Sequence, residues 1–260
     1  NAQDAQGYTA LHWAIKQGAT KIAQALLDTG KAKINTKDGV YKETPLIVAA
    51  ERGNLEIVKR LISHNPDDIN AQDAQGYTAL HWAIKQGATK IAQALLDTGK
   101  AKINTKDGVY KETPLIVAAE RGNLEIVKRL ISHNPDDINA QDAQGYTALH
   151  WAIKQGAPAI VQALLDTGKA KINTKGGFFK VTPLITASII GNLEIVRSLI
   201  KHNPDPTHLN ATDDDKNNTA LMAAAFHNKL AVVQFLLEQG ANQNIKNLKK
   251  QTALIVAAER

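Results

Sequence analysis

Histidines 12, 81 and 150 are the first residues whose spacing suggests chemistry, because they recur at a fixed interval in the same context, TALHWA. Histidine is a frequent zinc ligand and the usual acid–base group at neutral pH. A zinc site needs several ligands, yet neither a carboxylate nor a second histidine lies at ligand spacing on the same predicted helix. The sequence therefore favours a structural role for these histidines, and no metal is expected.

Catalytic groupings are equally sparse. No serine, histidine and aspartate stand in a nucleophile context, and there is no glycine-rich phosphate loop. The acidic run Asp213–Asp215 has the chemistry of a divalent-cation site, but a solvated turn explains it more simply. We expect no enzyme activity, no nucleotide and no cofactor.

Composition and charge are those of an ordinary soluble protein. Hydrophobic residues make up 43% of the chain and charged residues 22%, and no run reaches the roughly 18 apolar residues of a membrane span. The opening stretch, NAQDAQGYTA, does not resemble a signal peptide. The net charge of +6 is spread thinly along the chain, so neither nucleic acid nor a membrane is expected as a partner. Cysteine is absent, which fits a cytoplasmic location.

Internal repetition is the strongest signal in the sequence. Residues 1–69 and 70–138 are identical, and a third copy begins at Asn139 and then diverges. Within each block TALHWAIKQG (9–18) and TPLIVAAERG (44–53) occupy equivalent places, so the period is really about 34. The predicted repeats are 1–34, 35–69, 70–103, 104–138, 139–172, 173–209, 210–243 and a partial 244–260.

Each repeat predicts two short antiparallel helices. Leu11, Ala14 and Ile15 follow an i, i+3, i+4 spacing that gives the first helix one apolar stripe, and Gly18 ends it. The second apolar segment, ATKIAQALLDTG in the first repeat, has the same period. The polar stretch between repeats predicts a turn or a short hairpin. Two helices of about ten residues cannot bury both stripes alone, so neighbouring repeats must cover them.

The motifs TALHWA, TPLIVA and GNLEIVKRLI resemble the ankyrin repeat family, whose units of about 33 residues carry a T-P-L-H-x-A signature. The resemblance spans residues 1–260 and implies a single all-α repeat solenoid of about seven and a half stacked helix-turn-helix ankyrin repeats, joined by β-hairpin-like loops. It also implies that each histidine, with its preceding threonine, ties the first helix to neighbouring backbone. The loop DGVYKET is one residue longer than DAQGYT and lacks a glycine at the usual place, so distorted even-numbered hairpins are expected. Trp13, Trp82 and Trp151 are interpreted as stacking residues between repeats.

The resemblance further implies a non-catalytic scaffold that binds a protein or peptide on a concave wall of first helices and hairpin tips. Mixed charge and exposed tyrosines are common in protein interfaces. In the first block the predicted wall residues are Gln6, Tyr8, Lys16, Gln17, Tyr41, Glu43, Glu51 and Arg52.

The third block breaks this polar wall. Alignment with the first block replaces Val40, Tyr41, Glu43, Glu51 and Arg52 by apolar residues, and the next repeat adds two aromatic rings. We call these residues the apolar patch; they are Phe178, Phe179, Val181, Ile189, Ile190, Phe226 and His227. Contiguous exposed apolar residues usually mark a contact site. The alternative is that Phe178 and Phe179 fold over the isoleucines and bury them within the array.

Two further alternatives stay open at this stage. The array is either a binding module or a structural spacer within a longer protein, and a spacer would have a uniformly polar wall. The identical blocks arose either by natural duplication or by engineered extension of a parent array. If the protein is a secreted bacterial effector, its location is the host cytosol.

Overall fold

The computed structural model describes residues 1–64 and 69–259, with residues 135 and 136 described by their backbone alone. Within this part of the chain there are sixteen α-helices and a 3-10 turn at Pro135–Asn139, and the only β-structure consists of isolated bridges. The chain forms two compact units, Asn1–Leu130 and Ile131–Arg260. The all-α repeat fold is therefore confirmed.

The helices come in pairs, one pair to a repeat. Unit 1 contains α1 (Ala10–Lys16), α2 (Thr20–Asp28), α3 (Pro45–Glu51), α4 (Leu55–His64), α5 (Ala79–Lys85), α6 (Thr89–Asp97), α7 (Pro114–Glu120) and the start of α8 (Leu124–His133). Unit 2 contains α9 (Ala148–Lys154), α10 (Pro158–Leu165), α11 (Pro183–Ile190), α12 (Leu193–His202), α13 (Pro206–Leu209), α14 (Ala220–Phe226), α15 (Leu230–Glu238) and α16 (Ala253–Ala258).

Local sequence explains where the first helices begin. Thr44 is the N-cap of α3, and its hydroxyl oxygen accepts a hydrogen bond from the Ile47 backbone N–H. Pro45 follows at the first helical position, where its missing N–H costs nothing. Threonine takes the same N-cap place before α1, α5, α9, α11, α14 and α16.

Each unit consists of two layers of helices with the core between them. In unit 1, α1, α3, α5 and α7 pack side by side, and α2, α4 and α6 form the second layer. In unit 2, α9, α11, α14 and α16 form the first layer, and α10, α12 and α15 form the second. Apolar side chains from both layers are fully buried, for example Ile15, Leu27, Ile47 and Ile57 in unit 1.

The loop before the first helix of the first repeat closes around a carboxylate. In the first repeat the Asp4 side chain accepts hydrogen bonds from the backbone N–H groups of Gln6 and Tyr8, and Gly7 adopts φ 83°. This tip lies against the next loop so closely that a Cβ on Gly7 would come within 2.2 Å of the Gly39 nitrogen. Glycine is therefore required there.

The longer even-numbered loop closes without a glycine at the equivalent place. Lys42 adopts the left-handed conformation instead, with φ 54°. The Asp38 carboxylate compensates by accepting three backbone N–H groups, those of Val40, Tyr41 and Glu43. The extra residue is thus held by side-chain hydrogen bonds, and the departure from the odd-numbered loop is confined to these few residues.

Deleting residues 70–138 is expected to leave a folded, shorter protein, because each repeat packs mainly on its neighbours and the junction recreates an existing sequence. The measurements are the far-ultraviolet circular dichroism spectrum and the urea unfolding curve. Helical signal per residue should be retained, with a lower free energy of unfolding. A disordered deletion variant would contradict the repeat interpretation.

Candidate partner-binding surface

The apolar patch lies in unit 2, on the loop before α11, at the end of α11 and at the end of α14. The loop is closed by a backbone pair in which the Gly176 N–H donates to the Val181 carbonyl at 2.9 Å and the Val181 N–H donates back at 3.0 Å. Phe178 and Phe179 occupy the tip of this loop, with their rings edge to face and 5.3 Å between centroids. The patch therefore brings residues of two successive first helices, α11 and α14, onto one surface, since these helices pack side by side.

The phenylalanines do not cover the isoleucines. Phe178 is 91% exposed and Phe179 52% exposed, and Ile190 keeps 37% of its surface in contact with solvent. Ile189 is half-buried. Phe226, at the end of α14, is 39% exposed and stacks edge to face on His227, with centroids 5.1 Å apart.

Five patch residues line one groove of about 280 Å³, which we call the apolar groove. They are Phe179, Val181, Ile189, Phe226 and His227. Phe178 and Ile190 lie outside the lining. Ile185 and Ala223 contribute further apolar surface.

The start of the eighth repeat supplies groove residues that sequence reasoning missed, among them Asn247, Gln251 and Val256. Asn247 closes its loop as Asp4 does, with its Oδ1 accepting the N–H groups of Lys249 and Gln251. Its side-chain amide N–H also donates to the side-chain Oδ1 of Asn218 at 3.1 Å, which joins this loop to the preceding one. The sequence did show that an eighth repeat begins here, because TALIVAA repeats the first-helix motif. Whether this repeat lines the groove depends on which loop lies beside α14, and that is a feature of the tertiary structure.

A second pocket, in unit 1, collects most of the wall residues predicted in the first block. We call it the polar pocket; it measures about 310 Å³ and is lined by Lys16, Tyr41, Glu43, Glu51, Arg52, Gln75 and Trp82. Tyr41 is exposed, as predicted. The Arg52 Nε atom lies 3.7 Å from the Glu51 carboxylate.

Tyr8 and Glu43 are buried, and their prediction as exposed wall residues is wrong. The Tyr8 ring packs between His12 and Trp13, with centroid distances of 6.0 and 5.2 Å, and its hydroxyl accepts a hydrogen bond from Lys16 Nζ at 2.9 Å. Tyr8 directly precedes Thr9, the N-cap of α1, and its ring lies against the first turn of that helix instead of in solvent.

The Glu43 carboxylate lies 3.6 Å from Lys16 Nζ. Burial, together with the negative charge of Glu51, raises the pKa of Glu43 to about 7, and the positive charge of Lys16 offsets only part of this. The buried carboxylate is therefore an unfavourable feature of the fold at alkaline pH.

The recurring tryptophans are held within their own repeats. Trp13 donates its indole N–H to the Asp4 carboxylate at 2.7 Å and packs on Tyr8. Trp82 and Trp151 make the same contacts with Asp73 and Asp142. The ring thus secures the loop before the helix, which differs from the predicted stacking between repeats.

The recurring histidines cap the first helices, and His12 and His81 also reach the next repeat, whereas His150 Nε2 makes no such hydrogen bond among the described residues. The Thr9 N–H donates to His12 Nδ1 at 3.2 Å, and His12 Nε2 lies 3.1 Å from the Glu43 carbonyl oxygen. Because a backbone N–H can only donate, Nδ1 must accept and the ring proton sits on Nε2, which donates to that carbonyl. His81 makes the equivalent contacts with Thr78 and Glu112. The structural role of these histidines is confirmed.

Burial keeps these rings neutral. It lowers the pKa of His12, and it lowers the pKa of His81 and of His150 to about 4. The described residues contain no group of three or more His, Asp or Glu side chains that would hold a metal ion. None of the described helices is long and apolar enough to cross a membrane.

Fold and surface together define a helical-repeat binding scaffold. The family sequence model for ankyrin repeats matches the chain three times, over residues 32–107, 100–176 and 169–247. The family sequence model for a single ankyrin repeat matches residues 6–39. The chain belongs to the ankyrin repeat family. Ankyrin repeats mediate protein–protein interaction and are typically non-catalytic.

Several characterised proteins are similar to the chain. It is 26% identical to the E3 ubiquitin-protein ligase KEG of Arabidopsis thaliana over 100% of this chain and 16% of the relative. It is 30% identical to the ankyrin repeat protein nuc-2 of Neurospora crassa over 94% of this chain and 22% of the relative. The probable 26S proteasome regulatory subunit p28 of Saccharomyces cerevisiae is 33% identical over 59% of this chain and 68% of that protein. The chain thus spans less than a quarter of the first two relatives.

Replacing Glu43 by glutamine is expected to stabilise the protein at alkaline pH. Because the folded-state pKa of about 7 lies above the ordinary value of 4.5, the folded chain holds the proton more tightly, and stability falls as pH rises from about 4.5 to about 7. Glu43→Gln should raise the free energy of unfolding at pH 8 by roughly 1–3 kcal/mol and leave it nearly unchanged at pH 4.5. Urea titrations at both pH values measure this.

Glu56→Gln is the matched control, because Glu56 is an exposed carboxylate on the second helix of the same repeat. It should not raise stability at pH 8. A Glu43→Gln variant with the same pH dependence as the parent would contradict the assignment.

Replacing His81 by glutamine is expected to weaken the acid sensitivity of the fold. The folded-state pKa of about 4 lies below the ordinary 6.5, so the unfolded chain takes up the proton first and stability is lost as pH falls from about 6.5 to about 4. Glutamine preserves a Thr-x-x-Gln capping box. Between pH 7 and pH 4.5 the variant should lose roughly 2 kcal/mol less than the parent, measured by urea unfolding. His64→Gln, at an exposed helix end, should leave the parent's pH dependence intact, and an unchanged slope in His81→Gln would refute the prediction.

Proposed function

We propose that the chain is a protein-binding scaffold whose partner inserts a large apolar side chain into the apolar groove of unit 2. The observation that carries the proposal is the groove itself, an open cavity of about 280 Å³ lined by Phe179, Val181 and Ile189. The family supports the class of function, and the groove supports the proposed location and chemistry.

The contrast between copies supports this assignment. Where the first block has Glu43 and Glu51, the third has Val181 and Ile189, although the surrounding helices keep the same frame. Charged side chains have thus been replaced by apolar ones at positions that line a cavity. Burying one Phe or Ile side chain contributes about 1.5–3 kcal/mol, so a few such residues suffice to anchor a partner.

Polar groups at the rim suit a polypeptide. Asn218 and His227 line the groove beside the apolar residues and carry hydrogen-bonding groups. By contrast, the Gln251 side chain is already bonded to Asn247 and Glu259. An apolar centre with a polar rim is the usual anatomy of a protein interface. The proposed partner is therefore a protein segment that presents an apolar side chain and leaves some backbone polar groups for the rim.

A structural spacer is the alternative function, and the distribution of side chains favours binding. A spacer needs no localised break in its polar wall, whereas here Phe178, Phe179, Ile190 and Phe226 are exposed together in the loop before α11 and at the ends of α11 and α14. The proposed setting is the cytoplasm, because a chain without cysteine gains nothing from an oxidising compartment.

The variant Ile189→Glu with Ile190→Arg tests the proposal, since it restores the residues of the earlier copies. Peptides are first selected by the parent protein from a random library displayed on phage, and they should carry a large apolar residue. The variant should bind these peptides at least about tenfold more weakly, while its melting temperature stays within about 4 °C of the parent. Fluorescence anisotropy of labelled peptides measures affinity, and circular dichroism measures melting.

The control places the same pair of charges elsewhere in unit 2. Leu230 and Leu237 are exposed on α15, in the other helix layer. Leu230→Glu with Leu237→Arg should leave peptide binding intact. If the Ile189/Ile190 variant melts much earlier and still binds, those isoleucines belong to the core and the proposed function is wrong.

A further inference from the structure

The polar pocket of unit 1 contains a buried carboxylate whose hydrogen-bonding capacity is not filled. Glu43 is 6% exposed, and its Oε2 atom has no hydrogen-bond donor among the described residues. The nearest cation, Lys16 Nζ, lies 3.6 Å away, which is an ion-pair distance but too long for a hydrogen bond. A buried carboxylate left in this state costs free energy, and a donor that enters the pocket would recover part of it.

The cations already present are engaged with other groups. Lys16 Nζ donates to the Tyr8 hydroxyl at 2.9 Å and lies 4.3 Å from the centroid of that ring. The Arg52 Nε atom lies against Glu51 at 3.7 Å. Neither cation therefore donates a hydrogen bond to the Oε2 atom of Glu43.

Negative charge predominates around this carboxylate. Glu51, Asp38 and Asp73 all act on Glu43 in the same sense and raise its pKa, and only Lys16 opposes them. An additional positive charge is therefore favoured in the pocket, whereas an additional negative charge would lie beside the two carboxylates that line it, Glu43 and Glu51.

Two aromatic rings line the same pocket. Tyr41 is exposed at the tip of its loop, and the ring of Trp82 is half-buried, with its indole N–H held by Asp73 at 2.7 Å. Tyr41 already lies 5.5 Å from Lys16 Nζ, which shows that a cation fits against its ring. Aromatic faces attract ammonium groups and cover the methylene stem of a lysine side chain.

We propose that the polar pocket binds the protonated side chain of a lysine from a partner polypeptide, with the ammonium group paired to Glu43 and Glu51 and the stem against Tyr41 and Trp82. A compact ammonium suits a single unfilled carboxylate oxygen better than a guanidinium, which needs a planar pair of acceptors. This site goes beyond the apolar groove, since it lies in unit 1 and recognises charge.

The test must isolate this pocket, because the same residue types recur at Lys85, Tyr110, Glu112, Glu120 and Arg121. The parent for the test is the full chain with Trp13→Phe and Trp151→Phe, which leaves Trp82 as the one tryptophan. The probe is the peptide acetyl-Gly-Lys-Gly-amide at pH 8 and constant ionic strength. The comparison peptides carry norleucine or arginine in place of lysine.

The lysine peptide is expected to change Trp82 fluorescence saturably, with a dissociation constant of about 1–10 mM for so small a ligand. Glu43→Gln should weaken this binding about tenfold or more, and Glu56→Gln should leave it unchanged. Circular dichroism checks folding of both variants, and Tyr41→Ala provides a second substitution in the pocket that should weaken binding. No saturable change, an equal response to norleucine, tighter binding of arginine, or undiminished binding by Glu43→Gln would each overturn the proposal. None of these outcomes bears on the apolar groove.

Discussion

The burial of each helix pair against its neighbours is the constraint on which the rest of the structure depends. A repeat of two short helices cannot bury its apolar stripes alone. His12 caps the start of α1 through its hydrogen bond with Thr9, and its Nε2 donates to the backbone carbonyl of Glu43 in the next repeat. His81 makes the equivalent bond to the backbone carbonyl of Glu112. Because the ring is buried, only its neutral form fits, and one tautomer serves both partners. In these two repeats the bond ties the first helix to the loop of the next repeat.

Because the helix pairs are stabilised by their buried core, the surface residues of the first helices can change greatly. Glu51 and Ile189 occupy aligned places on α3 and α11, yet both helices begin at a threonine cap followed by proline. The chemistry of the wall therefore varies from polar to apolar without altering the helix pairs. The same frame also accommodates an unfavourable group, since Glu43 stays in place although burial raises its pKa to about 7.

Loop closure shows how different residues meet one backbone requirement. Asp4 and Asn247 both accept backbone N–H groups across their loops, and Asp38 accepts three. In the third block Gly176 stands where Asp38 stands in the first, and the loop closes through its backbone pair with Val181. The two phenylalanines at this tip are exposed, as Val40 and Tyr41 are at the tip that Asp38 closes, and this exposure makes the apolar patch accessible.

The period of the repeat, the helix pairs and their threonine and proline caps were determined by the sequence by itself, because each depends on residues a few positions apart. The exposure of Tyr41 and the apolar character at Ile189 also followed from aligning the copies. Only the tertiary structure decided that Tyr8 and Glu43 are buried, that Trp13 is tied to Asp4, and that the eighth repeat completes the apolar groove. The burial of Glu43 and the completion of the groove depend on residues about one repeat apart in the chain coming within a few ångströms of each other, and the Trp13–Asp4 bond depends on how its loop folds back on the helix. Burial is a property of that packing, and no local pattern of residue types encodes it.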